Sequence, residues 1–176
     1  GNLKSMGALL DAAVFPGIQG GPLEHVIGAK AVAFAEAMST NYSNYMKQVK
    51  TNAKLMSELL IEKGYDLISG GTDNHCMLID LRSKNMNGRD AEDILGNVEI
   101  TVNKNMVPFD TESPFVTSGI RIGTAAITSR GIDHETIPQI VSLIDRALMN
   151  PNNKNIIKDI RTEIHETMAF RPLFKW

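Results

Sequence analysis

The sequence predicts a mixed α/β (α+β) fold: a small two-layer domain whose short, mainly antiparallel sheet carries helices on one face, preceded by a long helical segment. Three observations lead there. Apolar residues recur at steps of three and four over several long stretches, and short β-type runs bounded by turn formers lie between them. Neither an internal repeat nor a low-complexity segment breaks the order. A chain of 176 residues that is 43% hydrophobic is long enough to close one sizeable core.

Ala12-Ala13-Val14-Phe15-Pro16-Gly17-Ile18-Gln19-Gly20-Gly21-Pro22 is apolar and then repeatedly broken, which reads as extended chain entering a glycine turn. Pro22 suits the first helical position, where a missing N–H costs nothing. Leu23, Ile27, Ala31, Phe34 and Met38 then recur at helical spacing. A second helix carries Tyr42, Met46, Val49, Ala53, Met56 and Leu60, with Gly64 as its left-handed stop. Beyond Gly64 the period changes. Tyr65 to Ile68 and Cys76 to Leu81 read as strands around the turn-rich loop Ser69-Gly70-Gly71-Thr72-Asp73-Asn74. Asn87 to Val98 reads as a short helix, and Glu99 to Val102 and Gly119 to Ile122 as further strands. The loop between them, Asn103 to Ser118, holds Pro108 and Pro114 and is longer than structureless connections usually are, a mark of function or disorder. Ile137, Ile140, Val141, Ile144 and Leu148 form one helical stripe, starting near Thr136 because of Pro138. Ile156, Ile160, Ile164 and Met168 form another after the Asn150-Pro151-Asn152-Asn153 break. The tail Phe170 to Trp176 is aromatic enough that it should dock on the rest. Residues 1–38 read as the trailing segment of a larger domain and residues 39–176 as the small domain.

Composition narrows the function classes. The formal net charge is −2, and Lys and Arg are scattered among Asp and Glu without a basic block, which argues against nucleic acid or a membrane surface as partner. No window approaches the ~18 apolar residues of a membrane span, and the chain reads as cytoplasmic. It starts mid-pattern without an initiating Met, which reads as a portion of a longer protein. The one cysteine, Cys76, lies in an apolar run and reads as a buried thiol. His25, His75, His134 and His165 are never at i, i+4 spacing, so no metal site is expected. No nucleophile elbow, Walker loop or dinucleotide fingerprint occurs.

Three features bear on chemistry, each with two readings. Gly20-Gly21 before Pro22 and a helix offers backbone N–H groups to a phosphate, or is an ordinary turn. Arg121, on a strand between glycine-containing turns, presents a planar fork suited to a carboxylate, or makes a surface ion pair. Asn103 and Asn105 bind a ligand through their amides, or organise the long loop through its backbone.

The segments Val14 to Pro22, Ser69 to His75, Ile100 to Asn105 and Ser113 to Arg121 are strongly similar to serine hydroxymethyltransferases, in the same order and at similar spacing. The resemblance runs from about Leu10 to about Leu148. It implies the fold-type I architecture of pyridoxal-phosphate enzymes, and a dimer or dimer of dimers with active sites at the subunit interface. The reaction implied is the interconversion of serine plus tetrahydrofolate with glycine plus 5,10-methylenetetrahydrofolate, a step of one-carbon metabolism and glycine biosynthesis. By resemblance, Gly20 and Gly21 match the turn that reaches the cofactor phosphate of the neighbouring subunit. Arg121 matches the arginine that binds the carboxylate of serine or glycine. Asn105 matches a folate contact, with Ser113, Pro114 and Phe115 beside it.

Two departures stand out. Members of the family usually have Pro where Ala125 stands. The lysine that carries the cofactor follows a His upstream of the Val14-Phe15-Pro16-Gly17 motif in the family, and no His-Lys pair occurs in this sequence. No catalytic residue is therefore assigned, and the chain alone is expected to be inactive and to hold no cofactor covalently. Exposed apolar surface on its first helix predicts a dimer through residues near Val14 to Met38. The alternatives are another fold-type I enzyme such as a threonine aldolase, which needs no folate loop, and a non-catalytic oligomerisation or binding module.

Overall fold

Ser5 opens the first helix: its hydroxyl accepts from the Ala8 N–H at 3.2 Å, satisfying one of the amides that a helix start leaves without a partner. The computed structural model describes residues 4–173. The chain divides into two units, Gly1–Tyr42 and Ser43–Trp176.

The first unit holds α1 (Met6–Val14) and α2 (Glu24–Ala37). Ala12 to Val14, expected to be extended, are the last turn of α1, and the chain runs from there into a hydrogen-bonded turn in which the Gly17 N–H donates to the Ala12 carbonyl and the Ile18 N–H to the Val14 carbonyl. The cap at Ser5 and the good helix formers Met6, Leu9, Leu10, Ala12 and Ala13 outweigh the breakers that follow. Pro22 stands just before α2, which begins with Glu24 after Leu23 at its cap. No residue of either helix is buried, and Leu10, Ile27, Val32 and Phe34 are exposed.

The third helix, α3 (Thr40–Glu62), buries Val49, Ala53, Met56 and Leu60, and Gly64 follows at φ 77° as the predicted left-handed stop. The sheet contains β1 (Asp66–Leu67), β2 (Cys76–Asp80), β3 (Asn103–Asn105) and β4 (Gly119–Gly123). Its order is β1-β2-β4-β3, and every pairing is antiparallel. Between β2 and β3 lies α4 (Gly88–Asn97), capped by Asn87, whose side chain accepts from the Asp90 N–H at 2.8 Å. After β4 come α5 (Ala125–Ser129), α6 (Ile137–Met149) with Pro138 in its first turn, and α7 (Lys154–Met168), capped by Asn153.

Alternation along the strands sorts the sheet into two faces. Met77, Ile79, Ile120 and Ile122 join one buried cluster with Met56 and Leu60 of α3, Leu95 of α4, Val141 and Ile144 of α6 and Ile160 of α7. Fully burying each such aliphatic side chain contributes roughly 1.5–3 kcal/mol. Helices α3, α4, α6 and α7 thus lie on one sheet face, the two-layer α+β arrangement expected.

Three details differ from expectation. The strand expected at Glu99 to Val102 sits instead at Asn103–Asn105. The end of α4 is the reason: the Leu95 carbonyl accepts from Val98 and Ile100 N–H, the Gly96 carbonyl accepts from Glu99 N–H, and Glu99 turns left-handed at φ 66°. The helical turn α5 was not expected. Of the tail, Phe170 and Leu173 are 95% and 71% exposed, so their side chains do not dock as expected, whereas half-buried Arg171 does: its carbonyl accepts from the Arg130 Nε–H at 2.7 Å and its guanidinium donates to the Thr167 and Gly131 carbonyls. Residues 174–176, on which the rest of that expectation falls, lie outside the described residues.

Candidate functional site

The sheet face that carries no helices holds Arg121. Its cross-strand partners are Leu78 on β2 and Asn103 on β3, and the neighbouring pair is Asn105 with Gly119. Directly opposed residues share a face, as do residues two apart, so Arg121, Asn103 and Asn105 point to the same side. The intervening Lys104 points to the helix side, where its ammonium donates to Glu92 at 2.8 Å and its backbone N–H to the same carboxylate at 2.9 Å. That pair holds Glu92 below its ordinary pKa, the side-chain hydrogen bond from Lys104 being the largest cause.

Arg121 borders a cleft of ≈ 250 Å³ with Ser69, Gly71, Thr72, Asn74 and Leu78. The cleft wall is a rigid turn. The Thr72 hydroxyl donates to the Cys76 carbonyl at 2.6 Å, and the Asn74 side-chain oxygen accepts from the Cys76 N–H at 2.9 Å. Ser69, Gly70 and Gly71 all have positive φ, which reverses the chain over this face. Among the described residues the Arg121 guanidinium has neither an ion pair nor a hydrogen bond. Five donors in a fixed plane are therefore available to a ligand, and a carboxylate is the group their geometry matches with two parallel bonds.

The end of β4 is anchored in the core. The Thr124 N–H donates to the His75 carbonyl at 3.0 Å, and its hydroxyl to the Val49 carbonyl of α3 at 2.9 Å. Asn52, 0% exposed, donates to the Thr128 hydroxyl and the Ile132 carbonyl, each at 2.9 Å. Ala125 stands where proline is usual in the resembled family, yet its carbonyl accepts from the Tyr45 hydroxyl at 3.0 Å. The turn after Arg121 is thus fixed by side chains from α3 instead of by a proline ring.

Asn105 donates through its amide to the Met106 carbonyl at 2.7 Å, so it helps organise the loop that it enters. Ser113, Pro114 and Phe115 are exposed, Phe115 at 80%, on the stretch between β3 and β4. The Ser113 carbonyl accepts from the Val116 and Thr117 N–H groups at 3.0 and 2.9 Å, closing a tight turn beneath them. Sequence reasoning missed the residue that organises this stretch. One oxygen of the Asp110 carboxylate accepts from the Val107 N–H at 3.1 Å and the Ser118 N–H at 2.9 Å. The other accepts from the Glu112 N–H at 2.9 Å and the Ser118 hydroxyl at 2.6 Å. These donors, the Ser118 hydroxyl foremost, pull its pKa far below the usual carboxylate range. An aspartate among loop prolines carried no signal beyond turn propensity.

Gly20 and Gly21 belong to the first unit. A Cβ at either would meet no heavy atom within 4 Å, and their N–H groups donate to no partner among the described residues. Among the described residues no group of three or more His, Cys, Asp or Glu is arranged to hold a metal ion, and no helix is long and apolar enough to cross a membrane. Residues 2–144 match a family model described as serine hydroxymethyltransferase, a span that includes Gly20, Gly21, Asn105, Asp110, Ser113 to Phe115 and Arg121.

Proposed function

We propose, on the premise that this chain belongs to the serine hydroxymethyltransferase family, that it supplies the amino-acid and folate contacts of that pyridoxal-phosphate-dependent transferase and is inactive alone. The observation that carries the reading is the Arg121 guanidinium, unpaired on the open sheet face beside the 69–74 turn. Arg121 takes the carboxylate of serine or glycine in two parallel hydrogen bonds, and this fixes the amino acid's orientation before any bond breaks. Asn105 and the exposed Ser113, Pro114 and Phe115 take tetrahydrofolate, the phenyl ring of Phe115 offering an apolar surface and Asn105 an amide.

Gly20 and Gly21 fit the pyridoxal phosphate of a neighbouring subunit: their free N–H groups suit its phosphate, with no side chain in the way. Arg121, taken by itself, suits the carboxylate of an amino acid. When bound, the cofactor supplies an electron-accepting ring, which stabilises negative charge at the amino acid's α-carbon. The sequence contains no His-Lys pair of the kind that carries the cofactor in the family. The interconversion of serine plus tetrahydrofolate with glycine plus 5,10-methylenetetrahydrofolate therefore needs groups that this chain does not provide.

The test is the absorbance spectrum of the purified chain mixed with pyridoxal phosphate and then glycine. The expected result is the spectrum of free cofactor, unchanged by glycine. A stable band that responds to glycine would show a complete site and sink the inactive reading. The exposed apolar residues of α1 and α2 further support a dimer through residues near Val14 to Met38. Light scattering that gives a monomer mass at high protein concentration would remove that part of the proposal.

A further inference from the structure

Asp110 joins the two ends of the stretch that separates β3 from β4. Val107 lies two residues after β3, Ser118 immediately precedes β4, and both donate their N–H groups to the same carboxylate oxygen. Glu112 N–H and the Ser118 hydroxyl complete four hydrogen bonds; no salt bridge reaches this carboxylate among the described residues, although Arg82, paired with Asp80, feels its charge. The stretch needs such a clamp. Phe109 and Thr117 adopt φ 57° and 61°, a left-handed conformation that costs a residue with a Cβ roughly 1 kcal/mol or more. The residues proposed for folate, Ser113 to Phe115, lie between these two positions, with Asn105 just outside the clamp. Phe115 is exposed, so packing contributes little to holding it in place.

From this geometry we infer that Asp110 is a positioning residue that pre-orders the 107–118 stretch for the pterin and amide parts of a reduced folate. The inference rests on the reading that Asn105 and Phe115 contact that co-substrate. Asp110 touches no ligand itself. Its four acceptor positions are occupied by the protein, so its action is to hold the backbone and thereby lower the ordering cost of binding. Folate is an anion, so electrostatics and anchoring predict opposite signs. Removing a nearby negative charge tightens binding of an anion, whereas removing an anchor weakens it.

The experiment measures tetrahydrofolate affinity in the glycine-loaded, cofactor-bound enzyme that contains this segment, with hydrogen exchange of the same preparation. Asp110→Asn, which cannot accept four hydrogen bonds, is expected to weaken folate about tenfold. Glycine affinity is expected to stay within about twofold, and the Val107, Glu112 and Ser118 amides to exchange faster. Unchanged or tighter folate binding, or an equal loss for glycine, overturns the inference. Ser118→Ala removes one of the four bonds and serves if Asp110→Asn does not fold. It should weaken folate about threefold, and no change there also overturns the inference. Asn105→Ala and Phe115→Ala separate the two layers of argument. If both leave folate affinity unchanged, the site reading fails and takes the Asp110 role with it. If both weaken it and Asp110→Asn does not, the positioning role alone fails.

Discussion

One face of the sheet is a core and the other carries the proposed binding groups, although the same strands make both. On β4, Ile120 and Ile122 are buried under helices, while Arg121 between them stands exposed. The helix side is held by apolar burial, which is insensitive to pH and tolerant of approximate shape. The open side is held by directional bonds to Thr72, Asn74, Asp80 and Asp110, which fix positions, and the two carboxylates among them titrate. A strand pairing thus turns one stable layer into a platform, with the proposed binding groups placed every second residue by the pleat.

The sharpest test sets neighbouring residues against each other. Ile120→Ala is expected to lower unfolding free energy by about 2–4 kcal/mol, whereas Arg121→Ala stays within about 0.5 kcal/mol. Urea unfolding of the chain with an unchanged m value reads both, and equal losses would erase the distinction between faces. Next in size is function. Arg121→Lys keeps the charge but loses the planar fork, and should lower kcat/KM for serine about 100-fold in the complete enzyme without moving the unfolding midpoint. A loss below about threefold would mean that charge alone suffices at this position.

The smallest effect is acid sensitivity. Asp80, held down chiefly by its hydrogen bond from Arg82, and Asp110 both have lowered pKa values in the folded chain. A depressed carboxylate contributes stability that is present above its unfolded value near 4 and lost as pH falls through its folded value. Stability should therefore drop as pH falls below about 4, and Asp110→Asn should flatten that limb. An acid limb of the same slope in both proteins would show that the open face does not depend on that charge.

What was legible in the sequence follows the same division. Periodicity located α3, α6 and α7 and the strands β2 and β4, because helix-side residues obey the 3.6 and 2.0 repeats of buried faces. It failed where capping or turn chemistry decides. Ser5 starts α1 upstream of the apolar run, and the close of α4 uses Glu99 and delays the next strand to Asn103. Of the candidate site, Arg121 was visible as a strand residue between glycines, and the structure sets Asn105 on its face. Asp110 was not visible, because its partners are three backbone amides and a serine hydroxyl whose convergence only the folded loop creates.

The start of α4 has one further consequence. A Cβ on Gly88 would lie 2.0 Å from the Thr117 hydroxyl oxygen and 2.3 Å from the Gly119 carbonyl oxygen, while the Gly88 N–H donates to the Thr117 carbonyl at 2.9 Å. Backbone meets backbone there with no room for even a methyl group, so position 88 has an alphabet of one letter. In a library carrying all twenty amino acids at each position of this chain, selection for folding alone would return glycine at 88, while the exposed glycine at 96 in the same helix would drift freely.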